Sequence, residues 1–401
     1  MKKVELLAPA GNLEKLKVAL TYGADAVFIG GKEFSLRSKA SNFSLEEIKE
    51  GCEFAHRLGK KIHVTCNIVM HNNDVNHLEE YLINLEKAGV DAIITSSLFM
   101  VKLCKKLTNM EVHISTQQSI MNQEAINFWM SQGADRVVLG RECSIENMKT
   151  FRKNTPIEIE AFIHGGMCSS YSGKCMLSNL MVKRDANRGG CAYSCRWMYD
   201  LYEKDELITK RKEDYFKMAS KDLCALKFIP ELIEAGVDSF KIEGRRKASN
   251  YIACVVKAYR RIIDNYYLKQ ELEYSKSIND ISKCENRLTS YGFLKGNVDV
   301  EQMSYTIEET LLKAGEYIAL VKECKDGYVY LDLHNKIENN TKYLVLSPIE
   351  DDYEIVVNEL ESKENRQIDY IRKEIETVAG KDVRFKCDKE IPNYSIIRLI
   401  K

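Results

Sequence analysis

The sequence predicts an α/β protein: a (β/α)8 TIM-like barrel followed by a small C-terminal all-β domain. Segments of helical periodicity alternate with short apolar runs through the first two-thirds of the chain. Four of the joints between them share one pattern, in which Gly is followed by Ala or Val, then by Asp and an apolar run. From about Gly315 the residue pattern changes to short runs of alternating polar and apolar residues, which are typical of strands.

Eight short apolar runs are the predicted barrel strands. Gly suits the left-handed cap of a helix, and an unbroken apolar run suits a strand that is buried on both faces. Eight alternations in about 260 residues match a closed barrel better than an open doubly wound sheet. No GxGxxG opens the first helix, which argues against a dinucleotide-binding fold. The predicted strands are Glu5–Ala8, Ala26–Ile29, Lys61–Asn67, Ala92–Ser96, Val112–Thr116, Arg136–Leu139, Ile157–Ile163 and Ser239–Glu243.

The predicted domains are three. The barrel occupies residues 1–267, with a cysteine-bearing loop at about 164–220. A helical connector follows at 268–314, and the small β-barrel or sandwich occupies 315–401. The composition, 45% hydrophobic and 29% charged, is that of an ordinary globular protein and indicates no disorder. Because Lys plus Arg equals Asp plus Glu at 59 each, only local clusters of charge could indicate a nucleic-acid partner.

The chain is expected to be cytoplasmic, without membrane contact. No apolar run approaches the length of a membrane span, and the start, MKKVELLAPAG, leads into a strand without a signal-peptide core. The 13 cysteines are odd in number and several lie within apolar runs. This usage favours a reducing compartment over a disulfide framework.

Four cysteines stand in one segment rich in Gly, Ser, Asn and Arg, which is predicted to be the long loop after the seventh strand, over the barrel mouth. Six, fifteen and three residues separate Cys168, Cys175, Cys191 and Cys195. Thiolates select zinc, copper(I) or iron–sulfur clusters. Only the last pair has the tight spacing of a zinc knuckle, so the spacing favours an iron–sulfur cluster, with zinc and unligated thiols as alternatives. Cys224, in a segment interpreted as the start of a helix, is an alternative fourth ligand.

In such barrels the chemistry lies where strands end and the following loops begin. The polar residues predicted there are Glu5, Arg37, Asn67, Gln117, His164, Glu243 and Arg245. The catalytic residues stay unassigned, with His164, Glu243, Arg245, Asn67 and Gln117 as candidates. Glu5 and Glu243 could form a carboxylate pair near the mouth, or could pair with Lys241 or Arg37. His113 is interpreted as a barrel-interior histidine.

Basic residues cluster beside the cysteines and after the eighth strand. The barrel places them on one face, where they could contact phosphates next to an aromatic ring for base stacking. A solvated surface is the alternative. The candidate RNA-binding residues are Arg184, Arg188, Arg196, Trp197, Arg245 and Arg246. Arg245 could instead clamp the carboxylate of a small acid, because its fork of donors matches a carboxylate.

The segment EAFIHGGMCSSYSGKCMLS resembles the signature of the collagenase-like peptidases of unknown catalytic type (unknown-type family 32). Gly166 stands where that family more often has Ala or Ser. LAPAG, KIHVTCNI, HISTQ, RDANRGGCAYSCRW and SFKIEGR match as well, so the resemblance covers the whole barrel and, more weakly, the C-terminal region. The matching signature residues are Glu160, Phe162, Gly165, Met167, Cys168, Gly173, Cys175 and Ser178.

The resemblance implies two activities. The family name implies proteolysis of collagen-like substrates. Other members are similar to RNA- and quinone-hydroxylation proteins that hold a [4Fe–4S] cluster. The RGGCxxxCRW element and the chain length look most like those that convert the tRNA wobble uridine to 5-hydroxyuridine with prephenate. For this chain the resemblance therefore implies a [4Fe–4S] cluster on the four cysteines, prephenate as a co-substrate, tRNA as a partner, and a paralogue or second copy as a further partner.

Two alternatives stay open. A peptidase would need a nucleophile, and neither HExxH nor GxSxG is present. Cys168 with His164 is a conceivable nucleophile–base pair. However, a thiolate bound to a cluster cannot also attack a carbonyl, and the cluster is the favoured hypothesis. The other alternative is a non-catalytic scaffold that binds zinc or RNA, and the sequence does not identify the oxygen donor.

Overall fold

The computed structural model describes residues 3–36, 42–208, 216–218, 220–284, 287–298, 316–363, 369–376 and 382–400. Arg37 lies outside these residues. Within them, no helix has both the length and the apolar character that crossing a bilayer requires.

Eight parallel strands form the predicted barrel, and each lies within two residues of its predicted bounds. Strands that are neighbours in this series pair in parallel. The eighth strand pairs with both the seventh and the first, which closes the sheet. The strands, numbered one to eight along the chain, are Glu5–Pro9, Ala26–Gly30, Lys61–Cys66, Ala92–Thr95, Glu111–Ile114, Arg136–Val138, Glu158–Gly165 and Ser239–Ile242.

Helices cover the outside of this barrel. Asn12 and Asn122 cap two of them, each accepting a hydrogen bond from the backbone N–H three residues later. The repeated glycines at the four joints have φ between 78° and 106°, as predicted for a left-handed cap. The helices after strands one to six are Leu13–Thr21, Leu45–Arg57, Leu78–Lys87, Leu98–Leu107, Gln123–Ser131 and Ile145–Lys153. Those after strand seven are Leu177–Val182 and Ile229–Glu234, and those after strand eight are Ser249–Leu268 and Tyr274–Ser282.

The inside of the barrel is charged, although such barrels are usually filled by Val, Ile and Leu. Glu160 is fully buried and accepts hydrogen bonds from Lys241 Nζ at 2.6 Å and Arg136 Nη1 at 3.1 Å. Arg136 also contacts Glu5 at 2.5 Å and Glu158 at 2.7 Å. Buried charges are tolerated only when they are paired and hydrogen-bonded, and this network meets that condition.

The position of Glu5 corrects one prediction. Glu5 is the first residue of strand one, so it lies at the end of the barrel opposite the mouth. It pairs with Arg136 and accepts a hydrogen bond from Ser239 at 2.8 Å. The predicted carboxylate pair of Glu5 and Glu243 near the mouth is therefore wrong. The interior position predicted for His113 is confirmed, because its side chain is fully buried.

The C-terminal region is a closed antiparallel barrel rather than a sandwich. The alternating runs predicted after about Gly315 form six strands. The strand Thr341–Leu346 pairs with Ile396–Leu399 on one side and with Tyr353–Lys363 on the other, which closes the ring. The six strands are Tyr317–Lys325, Tyr328–Leu333, Thr341–Leu346, Tyr353–Lys363, Asp382–Lys386 and Ile396–Leu399. The shorter strands of this region are Ile337–Glu338, Ile371–Arg372 and Ile375–Glu376.

This second barrel packs against the outside of the first. Arg398 is 2% exposed and donates to Asn250 Oδ1 at 2.9 and 2.7 Å. Lys257 pairs with Asp352 at 2.8 Å. The hydroxyl of Tyr22 donates to a backbone carbonyl of the second barrel at 2.6 Å. Because these contacts are buried or half-buried, they orient the two barrels relative to each other.

Candidate functional site

A cavity of about 600 Å³ opens at the carboxyl ends of the barrel strands. The loop after strand seven covers it, as predicted from the order of the elements. We term this space the mouth cavity. Its walls from the strand ends include Phe28, Thr65, Ile94, Ser115, Val138 and Phe162, and its cover includes Met167, Cys168, Cys191, Tyr193, Cys195, Arg196 and Trp197.

Three of the four loop cysteines line the mouth cavity: Cys168, Cys191 and Cys195. The sulfur of the fourth, Cys175, accepts a hydrogen bond from the backbone N–H of Leu177 at 3.3 Å. Burial raises the pKa of Cys168, and the charges of Cys195 and Cys175 raise it further, so these thiols lie within electrostatic range of one another. Among the described residues, which include all four cysteines, no three of these sulfurs lie within 4.8 Å of each other.

These four thiols are donors that either a zinc ion or an iron–sulfur cluster accepts. Around one zinc ion, with Zn–S bonds of about 2.3 Å, the sulfurs would lie roughly 3.8 Å apart. An iron–sulfur cluster is a larger object, and hydrogen bonds to its sulfurs tune it. Cys168, Cys175, Cys191 and Cys195 could hold such a cluster, and the contact from Leu177 is of the tuning kind.

Among the residues that the structure describes, seven cationic side chains line the mouth cavity, against one carboxylate. Lys241 binds Glu160 at 2.6 Å, and Asp222 faces two of the other cations at 3.3 and 3.6 Å. Even with Glu160 and Asp222 counted beside Glu243, positive groups outnumber negative ones seven to three. The cavity therefore attracts an anion. The cations are Arg141, Arg196, Lys241, Arg245, Arg246, Lys247 and Arg287.

Arg245 is held rigidly in the cavity wall. It is 4% exposed, and its guanidinium donates to the hydroxyl of Ser35 at 2.9 Å and to Asn42 Oδ1 at 2.9 Å. Gly30 leaves the necessary space, because a Cβ there would lie 2.1 Å from Arg245 Nη2. The guanidinium is thereby held in one orientation at the cavity wall, and its fork of donors has the geometry that matches an anionic ligand.

Aromatic rings lie beside the cations. The guanidinium of Arg141 lies 3.7 Å from the ring centre of Phe162, and Lys241 Nζ lies 4.4 Å from that of Phe28. Glu243 is 3.9 Å from Arg141. The walls thus combine apolar faces with positive charge, which suits an organic anion that carries a ring.

The structure brings four of the five candidate catalytic residues to the mouth cavity: Asn67, Gln117, Glu243 and Arg245. Asn67 Oδ1 accepts a hydrogen bond from the N–H of Leu36 at 3.2 Å. His164 is placed elsewhere. It is buried against Tyr259, with Nδ1 3.2 Å from that hydroxyl, and packs toward the helix Ser249–Leu268 rather than lining the cavity.

The candidate RNA-binding residues divide into two groups. Arg196, Trp197, Arg245 and Arg246 line the mouth cavity, whereas Arg184 and Arg188 do not. Arg188 pairs with Asp74 at 2.6 and 3.0 Å and thereby ties the cysteine loop to the loop after strand three. Arg184 is half-buried within the cysteine loop.

Sequence reasoning missed Arg141 and Arg287 and interpreted Lys241 only as a partner for a carboxylate. Arg141 could have been found, because it stands three residues after the end of strand six in VVLGRE. Lys241 is a charge inside the buried run SFKIEG, which is itself a signal of an inward-facing polar site. No sequence signal indicates Arg287.

Cys224 lies on a short strand, Asp222–Cys224, which corrects the prediction that it begins a helix. The strand pairs antiparallel with strand seven, and Cys224 stands opposite His164. The hydroxyl of Tyr259 lies 3.8 Å from its sulfur. Cys224 therefore faces the same helix as His164 and is not part of the cavity lining.

Residues 11–304 match the model of peptidase family U32. The tRNA hydroxylation protein P1 of Bacillus subtilis (strain 168) is 42% identical over 406 residues, which cover 99% of this chain and 95% of that protein. A 23S rRNA 5-hydroxycytidine synthase of Escherichia coli (strain K12) is 37% identical over 262 residues, 65% of this chain and 39% of that protein. A collagenase of Porphyromonas gingivalis (strain ATCC BAA-308 / W83) is 35% identical over 274 residues, 65% and 66% of the two chains. The chain belongs to peptidase family U32.

Proposed function

We propose that this chain is an RNA-hydroxylating enzyme, and that it converts the wobble uridine of tRNA to 5-hydroxyuridine. A relative that aligns over nearly the whole chain is named a tRNA hydroxylation protein, and a second is named an rRNA hydroxycytidine synthase. The observation that carries the proposal is the mouth cavity, in which three thiols share one space of about 600 Å³ with seven cations. Thiols that can hold a redox group and cations that attract RNA and an acidic co-substrate are the two requirements of such a reaction.

We assign a [4Fe–4S] cluster to Cys168, Cys175, Cys191 and Cys195. When bound, such a cluster supplies one-electron redox chemistry next to the substrate. The spacing of the four cysteines along the sequence, in which only one pair is as tight as in a zinc knuckle, supports this assignment over zinc. The cysteine loop covers the cavity, and the positive charge of Arg141 opposes the rise that burial causes in the pKa of Cys168.

The cations have two roles in this proposal. Arg245 and Lys241 are fixed by buried partners and bind the carboxylates of prephenate, the small acid proposed as the co-substrate. Arg246 and Trp197 stand further out, and Trp197 is 40% exposed. An exposed aromatic ring and a cation on the same cavity suit an unstacked base and its phosphate. A cavity of this size is within the roughly 300–1,000 Å³ of ligand pockets and can hold a base together with a small acid.

Anaerobic purification tests the cluster. The wild-type protein should be brown and contain about four irons per chain. Cys195→Ser should lose most of the iron, whereas Cys224→Ser should retain it, because that thiol faces Tyr259 rather than the cavity. Cys143→Ser, at a buried thiol elsewhere in the barrel, is the matched control. The opposite result for Cys195 and Cys224 would reassign the fourth ligand, and colourless protein with one zinc would replace the cluster by a zinc scaffold.

Nucleoside analysis tests the substrate. A strain that lacks this gene and its paralogues should lose 5-hydroxyuridine derivatives from its tRNA, and the wild-type gene should restore them. Arg246→Ala should restore less, whereas Arg57→Ala, on the helix after strand two, should restore fully. A strain that cannot synthesise prephenate should lose the same tRNA nucleosides as the strain that lacks the gene. Unchanged tRNA with altered rRNA or quinone would move the activity to those substrates.

Proteolysis is the second candidate function, since one relative is named a collagenase and the family is named for peptidases. The nucleophile–base pair that the sequence offers for it is Cys168 with His164. The structure places these residues in different surroundings, Cys168 on the mouth cavity and His164 against Tyr259. Gelatin cleavage that survives Cys→Ser at all four loop cysteines would favour a peptidase with another nucleophile.

A further inference from the structure

A second group of metal-ligating side chains lies between the two barrels, away from the mouth cavity. Glu14 is in the first turn of the helix Leu13–Thr21 of the first barrel. Asp332 is on the strand Tyr328–Leu333 of the second barrel, and His334 follows that strand. One ligand atom from each residue lies within 4.8 Å of the other two. None of the three lines the mouth cavity.

Neighbouring side chains hold these three groups in orientation. His334 Nε2 lies 3.3 Å from Asp332 Oδ2. The ring of Tyr317 stacks on the imidazole, with 4.6 Å between the ring centres and 26° between the planes. The hydroxyl of Ser249 donates a hydrogen bond to Glu14 Oε1. Outer contacts of this kind, which fix the rotamer and the tautomer of a ligand, typically surround metal sites.

The charges at this point are not balanced by arginine or lysine. In the described part of the chain, neither Glu14 nor Asp332 forms an ion pair with either residue type, and Lys322 acts on Asp332 only from beyond ion-pair distance. Two carboxylates from different barrels therefore meet beside one imidazole. Like charges this close repel unless a cation or a proton joins them.

We propose that Glu14, Asp332 and His334 bind one divalent transition-metal ion, of the Zn²⁺ or Mn²⁺ class, which fastens the second barrel to the first. One imidazole and two carboxylates are ligands that both ions accept, whereas Mg²⁺ and Ca²⁺ prefer oxygen alone. Metal–ligand bonds of about 2.0–2.2 Å allow ligand atoms to lie up to roughly 4.4 Å apart across the ion. Shifts of up to about 1 Å therefore close the site, and the partly exposed side chains of Asp332 and His334 have room for them.

Manganese binding to the full-length protein tests the site. Mn²⁺ is the better probe because the loop cysteines compete for zinc but not for this harder ion. Electron paramagnetic resonance and titration calorimetry should show one Mn²⁺ per chain in the wild type. Glu14→Gln and His334→Ala should each weaken binding at least tenfold, since loss of even an outer-shell partner costs roughly 10–100-fold. Glu354→Gln, at an exposed carboxylate of the second barrel, should bind as the wild type does.

A second readout separates loss of the site from loss of the fold. Added Mn²⁺ should raise the thermal midpoint of the wild type and of Glu354→Gln, and should leave that of Glu14→Gln unchanged, because an ion that binds only the folded state stabilises it. Lys257, Arg398 and Tyr22 still join the barrels in every variant. Equal Mn²⁺ affinity in Glu14→Gln and the wild type, or no binding of Mn²⁺ or Zn²⁺ by the wild type, would overturn the proposal. RNA hydroxylation is not involved in either measurement.

Discussion

Replacement of Glu160 by Gln should destabilise the first barrel strongly. The carboxylate is fully buried and neutralises Lys241 at 2.6 Å and Arg136 at 3.1 Å. Removal of one partner from a buried ion pair costs about 3–5 kcal/mol, because the other charge stays buried without compensation. Arg136 keeps Glu5 and Glu158, so most of the loss falls on Lys241. We therefore expect the lower part of that range, about 3 kcal/mol.

Urea denaturation followed by tryptophan fluorescence measures this loss. Trp129 and Trp197 are the only two tryptophans of the chain, and both belong to the first barrel and its loop. With a slope of roughly 3 kcal/mol per molar urea, the midpoint should fall by about 1 M. Glu158→Gln is the matched control. It removes another carboxylate from the same arginine, but its side chain is 30% exposed, so a loss of no more than about 1 kcal/mol is expected.

The dependence on pH has a definite sign. Burial raises the pKa of Glu160, but Lys241 and Arg136 outweigh burial and leave the pKa below its ordinary value. A carboxyl with a depressed pKa in the folded state stabilises above its unfolded pKa, about 4.3, and this contribution is lost as the pH falls through the folded pKa. The difference between wild type and Glu160→Gln should therefore narrow in acid. A midpoint shift no larger than that of Glu158→Gln at neutral pH would refute the assigned role of the interior network.

Gly165→Ala should lower the free energy of unfolding by about 1–3 kcal/mol through its backbone conformation alone (φ 98°). The loss should be larger because the new Cβ would lie 2.3 Å from the carbonyl oxygen of Glu243. Urea midpoints should fall further than for the control Gly173→Ala, whose Cβ has open space at φ 77°. Arg188→Ala should raise the pKa of Asp74 from about 2 toward its ordinary value, because the hydrogen bond from Arg188 is the main cause of the lowered pKa. NMR titration of the carboxyl carbon measures this pKa. An unchanged pKa would contradict the contact by which Arg188 ties the cysteine loop to the loop after strand three. Tyr22→Phe should lower stability by about 1–3 kcal/mol, since a buried carbonyl of the second barrel loses its donor, which calorimetry of the full-length chain checks.

The site was only partly predictable. The cysteine spacing placed Cys168, Cys191 and Cys195 in one loop over the barrel mouth, and the strand-end rule placed Asn67, Gln117 and Glu243 there. The same rule did not apply to Glu5, because this residue opens the strand and therefore lies at its amino end, opposite the mouth. The rule predicted His164 at the mouth as well, but the side chain does not line the cavity. A bulge between strands seven and eight shifts the strand register next to this residue, and the sequence does not show that bulge. Arg287 reaches the cavity from beyond the barrel, so no local pattern marks it.

The sequence by itself determined the architecture, since the order of helices and strands, their glycine joints and their apolar runs are local properties that a short window of residues contains. It also determined the four thiols as a set, because one loop carries them all. Only the tertiary structure decided what the inward-facing charges do. Glu160, Lys241 and Arg136 lie on three different strands, and closure of the barrel brings them into contact. Glu14 meets Asp332 and His334 only because the second barrel docks on the first. Contacts between residues far apart in the chain depend on how the elements pack, which no local pattern encodes.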